Sequence, residues 1–253
     1  MSRIPSKPSS VVDFHSMGKT PRIEALDALR GIALLGILFV NFSFFAMPDG
    51  SFGSYIVLAF PGRWDRGADF LTQALCDGKF ILIFSFLFGW GFYSQLKNGD
   101  NSQSMVRFFR RLMGLLVIGL LHACFLFVGD ILVTYAILGI PLYWVRHWSP
   151  SRLIVLAGVM WLGSILGHLT LGLLPIPRSD TLEVYKEVLR IHTQGTIGEI
   201  LLFRLKSLAE LYVITPLLFM PQVFAMFLIG LASPSIMRKQ GWMGLCLSHD
   251  SCC

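Results

Sequence analysis

A small set of polar residues lies inside or beside long apolar stretches of this sequence. An ionisable side chain in the hydrocarbon of a membrane is energetically costly, so each such residue is a candidate for function. These side chains could bind an anion, exchange a proton or orient a substrate. The ionisable candidates are Asp27, Arg30, Asp77, Lys79, His122 and Asp130, and Asn41 is an uncharged addition in the first apolar stretch.

Asp27 and Arg30 stand three residues apart, which places them on one face of a helix. Two interpretations are open. Asp27 could cap the helix while Arg30 extends to the lipid headgroups. Alternatively, Arg30 could bind a phosphate on the cytosolic side, because the planar guanidinium suits phosphate oxygens.

His122 and Asp130 are eight residues apart in the sequence, which is about 12 Å along a continuous helix. His122 could act as a general base near neutral pH. It could equally hydrogen-bond a neighbouring helix and only stabilise a bundle. Asp130 follows Gly129 in a short turn, where it could cap the next helix or face Lys79 in a site.

The position of Lys79 depends on where the second apolar stretch begins. A span that starts at Phe70 contains Asp77 and Lys79 and places Lys79 nearly half-way across the membrane. There Lys79 needs an acidic partner, and either Asp77 or Asp130 could serve. A span that starts at Phe80 leaves Lys79 at the outer interface. That shorter span is about 24 Å long, which is short for a bilayer.

Six apolar segments must position these residues. The chain has 253 residues, of which 54% are hydrophobic and 14% are charged, and its mean hydropathy is +0.65. A soluble domain carries roughly 25% charged residues, and about 20 apolar residues cross a bilayer. We therefore predict an all-α polytopic transmembrane helical bundle of about six spans. They are residues 29–47, 70–95 or 80–95, 112–128, 131–145, 153–174 and 211–232, the last kinked by Pro216 and Pro221.

Lys and Arg collect on one side of this arrangement. Of the 21 such residues, 13 fall in the segments 1–30, 94–111, 146–152 and 233–253. Because short cytoplasmic loops are enriched in Lys and Arg, we predict that both termini are cytoplasmic. The segments 48–69, 129–130 and 175–210 then face outward. We expect the protein in the cell membrane, that is, the inner or plasma membrane.

The predicted organisation is a cytoplasmic tail of residues 1–24, a membrane domain of residues 25–232 and a short tail of residues 233–253. Within the outer segment 175–210, apolar residues recur at helical spacing between charged ones from Thr181 to His192. This pattern predicts an amphipathic helix on the membrane surface. The stretch from Ile200 to Leu208 is expected to lead into the last span.

Several classes of function are disfavoured. The net charge of +6 comes from short clusters beside apolar runs, so we expect no nucleic-acid partner. The five cysteines do not have zinc-site spacing, and no phosphate-binding loop is present. We therefore expect no metal and no tightly bound cofactor. The Gly89-Trp90-Gly91 element is interpreted as close helix packing.

Four segments, in order, resemble the YeiB family of uncharacterised bacterial membrane proteins. The resemblance covers about residues 22–232. The segments are 25–41 (ALDALRGIALLGILFVN), 78–92 (GKFILIFSFLFGWGF), 111–122 (RLMGLLVIGLLH) and 129–139 (GDILVTYAILG).

That family is grouped with membrane acyltransferases, including the heparan-alpha-glucosaminide N-acetyltransferase type, through an opening Leu-Asp-x-x-Arg-Gly helix and a later Asn. The resemblance implies that an acyl group passes from a cytosolic donor such as acyl-CoA to an unknown acceptor at or across the membrane. In that scheme the donor-binding residues are Asp27, Arg30 and Asn41, and the catalytic residues are His122, Asp130 and Lys79.

The chain departs from this pattern in two ways. The glucosaminide enzymes place a catalytic His in the outer loop after the first span, and residues 48–69 contain no His. Family members usually continue through further helices, so the chain is expected to be truncated, with an aberrant tail from about Ser233. The alternatives to an acyltransferase are a membrane transporter, in which the same polar residues line a path, and a non-catalytic remnant. Membrane lipid is the other expected partner.

Overall fold

The structure is a computed structural model that describes residues 24–45, 62–65, 67, 70, 78–97, 102–127, 129–173 and 181–239. Over these ranges the chain forms eight long α-helices and no β-strand. They are α1 (Glu24–Phe45), α2 (Lys79–Lys97), α3 (Ser102–Phe125), α4 (Leu132–Trp144), α5 (Pro150–Leu173), α6 (Thr181–Gln194), α7 (Ile197–Leu218) and α8 (Met220–Lys239). The predicted tail before Glu24, most of the loop 48–69 and residues 240–253 lie outside this described part.

Four of these helices, α2, α3, α5 and α8, are long and apolar enough to cross a membrane, and α4 is a shorter apolar helix. Their outward faces carry large apolar side chains, such as Val117 on α3 and Val155 on α5. Such a surface suits hydrocarbon rather than water. The prediction of an all-α polytopic bundle is confirmed.

Helix α8 lies at the centre of the bundle and packs against α2 and α5. The backbones of α2 and α8 approach closely through two glycines. A β-carbon at Gly89 would collide with the carbonyl oxygen of Phe227, and one at Gly230 would collide with that of Phe86. Only glycine allows this separation. The interpretation of Gly89 as a helix-packing residue is therefore confirmed.

Helix α1 packs against α2 and runs antiparallel to it. Ala33 and Gly36 are buried, and a β-carbon at Gly36 would collide with the ring of Phe80 at the start of α2. Near the other end of α2, a β-carbon at Gly91 would lie 3.2 Å from Nη2 of Arg30. The start of α1 therefore meets the end of α2, and the later part of α1 meets its start.

The second span begins at Lys79. Gly78 has a φ of +70°, a left-handed conformation that cannot continue a right-handed helix. Helix α2 contains 19 residues, which is about 28 Å. The shorter of the two predicted spans is therefore the one observed, and Lys79 lies at the end of a helix rather than half-way across the membrane. Asp77, one of the two acidic partners considered for Lys79, lies outside the described residues.

The prediction of one kinked helix over residues 211–232 is wrong. Helix α7 ends at Leu218 and α8 begins at Met220. The amides of Gln222 and Val223 donate to the carbonyl of Phe219 at 3.1 and 3.2 Å, so the hydrogen-bond ladder restarts there. Pro221 has no N–H with which to continue α7, but the first turn of a new helix tolerates it. Helix α8 then continues to Lys239, past the residue where the predicted tail begins.

The amphipathic helix predicted over residues 181–192 is present as α6. Its surface carries an ion pair between Glu187 and Arg190, with 2.7 Å between Oε1 and Nη2. Helix α7 follows directly and opens with a capping box: the amide of Thr196 donates to Oε2 of Glu199 at 2.7 Å, and the amide of Glu199 donates to Oγ1 of Thr196 at 3.3 Å. The placement of α6 on the outer membrane surface stays a prediction.

Candidate functional site

The turn between α3 and α4 closes a helical hairpin. Helix α4 has 13 residues, which is about 20 Å of helix and less than the roughly 30 Å hydrocarbon core of a bilayer. Helix α3, with 24 residues, is long enough to cross that core. The buried polar groups of the turn between them need partners inside the protein.

His122 and Asp130 meet at this turn. His122 lies in the last turn of α3, and its Nδ1 is 2.9 Å from Oδ1 of Asp130. The pair forms because the chain reverses after Phe125, which brings together residues that a continuous helix would separate. The side chain of Asp130 is 1% exposed and that of His122 is 30% exposed. The carboxylate is hidden, and part of the imidazole side chain is accessible.

Asp130 also fixes the start of α4. Its Oδ2 accepts a hydrogen bond from the amide of Val133 at 2.8 Å, which satisfies one of the free N–H groups at a helix start. A β-carbon at Gly119 would lie 2.9 Å from that same Oδ2 and 2.8 Å from the amide nitrogen of Val133. Helix α3 thus passes directly against the cap. Of the two interpretations of Asp130, the capping role is present in the structure.

Arg204 of α7 contacts the end of α3, the other helix of the hairpin. It was not among the residues predicted from the sequence. Its Nη1 donates to the carbonyl oxygen of Phe125 at 2.5 Å. A cation is favourable at the C-terminal end of a helix, where carbonyls have no partner within the helix. In the sequence Arg204 is one of several charged residues interspersed with apolar ones before residue 211, a pattern too common to distinguish it.

Lys79 lies at the same end of the bundle as the His122–Asp130 pair. Its neighbour Ile81 accepts a hydrogen bond from the hydroxyl of Tyr135, near the start of α4, at 3.1 Å. The side chain of Lys79 is exposed. The ion pair of Asp130 is made with His122. A site in which Lys79 faces Asp130 stays a prediction.

The three residues of the implied donor site do not form one cluster. Nη1 of Arg30 is 2.8 Å from Oδ1 of Asp27, and both side chains are partly exposed. Asn41 is half-buried on the same helix, but it lies about 16 Å farther along the helix axis. Arg30 and Asp27 therefore mark one end of the bundle. Asn41 lies toward the other end, beyond the contact of Gly36 with Phe80.

A second polar cluster, also missed, lies in the core between α2 and α4. The hydroxyls of Ser85 and Tyr135 are 2.7 Å apart, and both residues are almost fully buried. Ser85 also donates to the carbonyl of Ile81 at 2.7 Å. Each residue is one polar group in an apolar run, and no sequence pattern links positions 85 and 135.

The His122–Asp130 pair places a buried carboxylate beside an imidazole. The 2.9 Å separation is an ion-pair distance, although Nδ1 makes no hydrogen bond of regular geometry. A carboxylate this close stabilises the imidazolium that forms when the ring takes a proton. Because Nδ1 faces Asp130, Nε2 is the nitrogen left to exchange a proton with a substrate. No group of three or more His, Cys, Asp or Glu that could hold a metal ion occurs among the residues that the structure describes.

Comparison with known proteins finds three bacterial relatives. The uncharacterized protein YxaH of Bacillus subtilis is 38% identical over 152 residues, which is 56% of this chain and 37% of that protein. The uncharacterized protein YeiB of Escherichia coli is 33% identical over 135 residues, or 51% of this chain and 32% of that protein. An uncharacterized 39.9 kDa protein from the amylase 3' region of Bacillus acidopullulyticus is 35% identical over 132 residues, which is 49% of this chain and 35% of that protein.

These similarities support the resemblance to YeiB-like proteins. The matched region spans about a third of the length of each relative. None of the three names describes an activity. No family model matches the chain, and no solved structure matches it. The relationship to acyltransferases remains a prediction.

Proposed function

We propose that this chain, a multi-pass membrane protein similar to YeiB-like proteins, provides the membrane domain of an acyltransferase. The observation that carries the proposal is the contact between Nδ1 of His122 and the buried carboxylate of Asp130. In this role His122 is the general base and Asp130 is a positioning residue, which orients the ring without touching the substrate.

The reaction requires one proton acceptor. Nε2 of His122 removes the proton from a hydroxyl or amine of the acceptor as its oxygen or nitrogen attacks the carbonyl carbon of the donor. A C–O or C–N bond forms and the C–S bond of a thioester breaks. The imidazolium then returns the proton to the departing thiolate.

The dimensions of the bundle favour a long donor. Arg30 lies beside Gly91, whereas His122 lies at the end of the bundle where α2 begins. Twelve residues of α2 separate Gly91 from Lys79, which is about 18 Å of helix. Acyl-CoA suits this separation because its phosphates lie at one end and its thioester at the other. Arg30 holds a phosphate of the donor, and Lys79 and Asn41 lie on the acceptor side.

The charge distribution supports the orientation of this reaction. Arg30, Arg107, Arg110 and Arg111 all lie at the end of the bundle opposite His122. That end is cytosolic if Lys and Arg follow the usual bias, and acyl-CoA is a cytosolic donor. The acceptor then approaches from the other side of the cell membrane.

The test is transfer of label from radiolabelled acetyl-CoA to a membrane extract by the purified chain in nanodiscs. We expect a labelled product, and we expect Arg30→Gln to raise KM for acetyl-CoA while Arg152→Gln, which changes an exposed arginine of α5, leaves KM unchanged. Absence of both a labelled product and acetyl-CoA binding would contradict the proposal. If the purified chain instead carries a solute across liposome membranes, and His122→Ala abolishes that flux, the protein is a transporter rather than an acyltransferase.

A further inference from the structure

A shallow groove of about 450 Å³, open to the surroundings, lies at the start of α3, at the end of the bundle opposite the His122–Asp130 pair. Every residue that lines it belongs to the first nine positions of this helix, and all are exposed. The lining residues are Ser102, Gln103, Val106, Arg107 and Arg110.

The groove is strongly cationic. Arg107 and Arg110 stand about one helical turn apart, and Nη2 of Arg107 donates to Oγ of Ser104 at 3.0 Å, which orients its guanidinium. The first turn of α3 contains no acidic residue. Its free N–H groups and helix dipole therefore add to the positive charge. The neighbouring Arg111 instead directs Nη1 toward Oε1 of Gln95 at 3.4 Å.

An exposed apolar stripe continues from the groove along the same face of α3. Val117 lies seven residues after Arg110, and Leu121 lies four residues after Val117. Met113 lies beside them, and all three side chains are more than half exposed. The opposite face of the helix carries the buried Phe108 and Leu112. The stripe from Arg110 to Leu121 is about 16 Å long, which is about half of the hydrocarbon thickness of a bilayer.

We propose that this groove binds one anionic phospholipid, with its phosphate headgroup between Arg107 and Arg110 and one acyl chain along Met113, Val117 and Leu121. The guanidinium fork suits phosphate oxygens. The apolar stripe has the length of an acyl chain in one leaflet, whereas a soluble phosphate would not contact it. A phospholipid therefore matches both the arginine groove and the apolar stripe.

The test uses the intact chain in nanodiscs of phosphatidylglycerol or phosphatidylcholine, with lipid retained after detergent extraction measured by mass spectrometry. We expect phosphatidylglycerol to be retained and phosphatidylcholine to be lost. The double variant Arg107→Gln/Arg110→Gln should retain phosphatidylglycerol roughly tenfold or more weakly, since each arginine contributes to attraction at an anionic surface. Arg152→Gln, at the start of α5, is the matched control and should retain it fully.

The double variant Arg107→Lys/Arg110→Lys keeps the charge and should keep most of the binding, which separates a binding defect from a folding defect. Three results would overturn the proposal. They are equal retention by the glutamine double variant, an equal loss in Arg152→Gln, and displacement of the lipid by inorganic phosphate as readily as by phosphatidylglycerol vesicles.

Discussion

Nδ1 of His122 lies 2.9 Å from Oδ1 of Asp130, and the second oxygen of that carboxylate accepts the amide of Val133. One buried side chain therefore has two roles: it lies at ion-pair distance from the imidazole and it caps α4. A capped hairpin alone would need only the bond to Val133. The contact with a partly exposed imidazole is what makes the turn a candidate site.

The capping role predicts a difference between two substitutions of Asp130. Asp130→Asn keeps an oxygen for the amide of Val133, whereas Asp130→Ala removes it. We expect Asp130→Ala to lower the free energy of unfolding by about 1 kcal/mol more than Asp130→Asn, since that is the usual contribution of a helix cap. Denaturant titration in detergent micelles measures this difference. Equal stability of the two variants would show that the bond to Val133 contributes nothing.

Gly119 predicts the consequence of the close contact between α3 and the cap. A β-carbon there would lie 2.8 Å from the amide nitrogen of Val133, so Gly119→Ala must displace α4. We expect a loss of about 1–3 kcal/mol, as for other overpacked sites. Gly114→Ala on the same helix has no atom within 4 Å and should be neutral or stabilising. Thermal unfolding of the two variants measures this difference. Equal melting temperatures for Gly119→Ala and Gly114→Ala would contradict the close contact.

The buried hydroxyls of Ser85 and Tyr135 predict coupling between α2 and α4. Tyr135→Phe removes a hydroxyl that contacts both Ser85 and the carbonyl of Ile81, and we expect it to cost about 1 kcal/mol. Ser85→Ala should cost a similar amount, and the double variant should cost less than the sum. Additive losses in a double-mutant cycle would mean that the two hydroxyls do not interact.

The capping box of α7 predicts a dependence on pH. The hydrogen bonds from the amide and hydroxyl of Thr196 lower the pKa of Glu199 below its usual value of 4.5. Because the pKa is lowered in the folded state, the stabilisation is present above pH 4.5 and is lost as the pH falls through the lowered pKa. Hydrogen exchange of the first turn of α7 should quicken over that acid range. In Glu199→Gln the exchange should not change over that range, and a similar acid dependence in this variant would contradict the assignment.

The apolar spans were predictable because hydrophobicity and length alone determine which segments can cross a bilayer. The ends of two of them were not. Gly78 prevents α2 from beginning earlier through its backbone conformation, and the chain breaks at Phe219, two residues before Pro221.

The site was predictable as a set of residues but not as a geometry. His122 and Asp130 stood out because polar groups are rare in such spans. The turn at residues 129–130 was predicted, but the pairing also depends on the end of α3 at Phe125 rather than at residue 128, and residue spacing did not reveal that end. The contact of Ser85 with Tyr135 joins two helices that are far apart in sequence, so it follows from tertiary packing alone.

The central claim is that His122 transfers a proton, and the most direct measurement is the initial rate of acetyl transfer from radiolabelled acetyl-CoA by matched histidine variants. His168 of α5 is the control, because its Nδ1 is 2.8 Å from the carbonyl oxygen of Ser164 in its own helix. We expect His122→Gln to lower the rate roughly 10²–10⁴-fold and His168→Gln to leave it unchanged. Full activity in a folded His122→Gln variant, or equal loss in both variants, would contradict it.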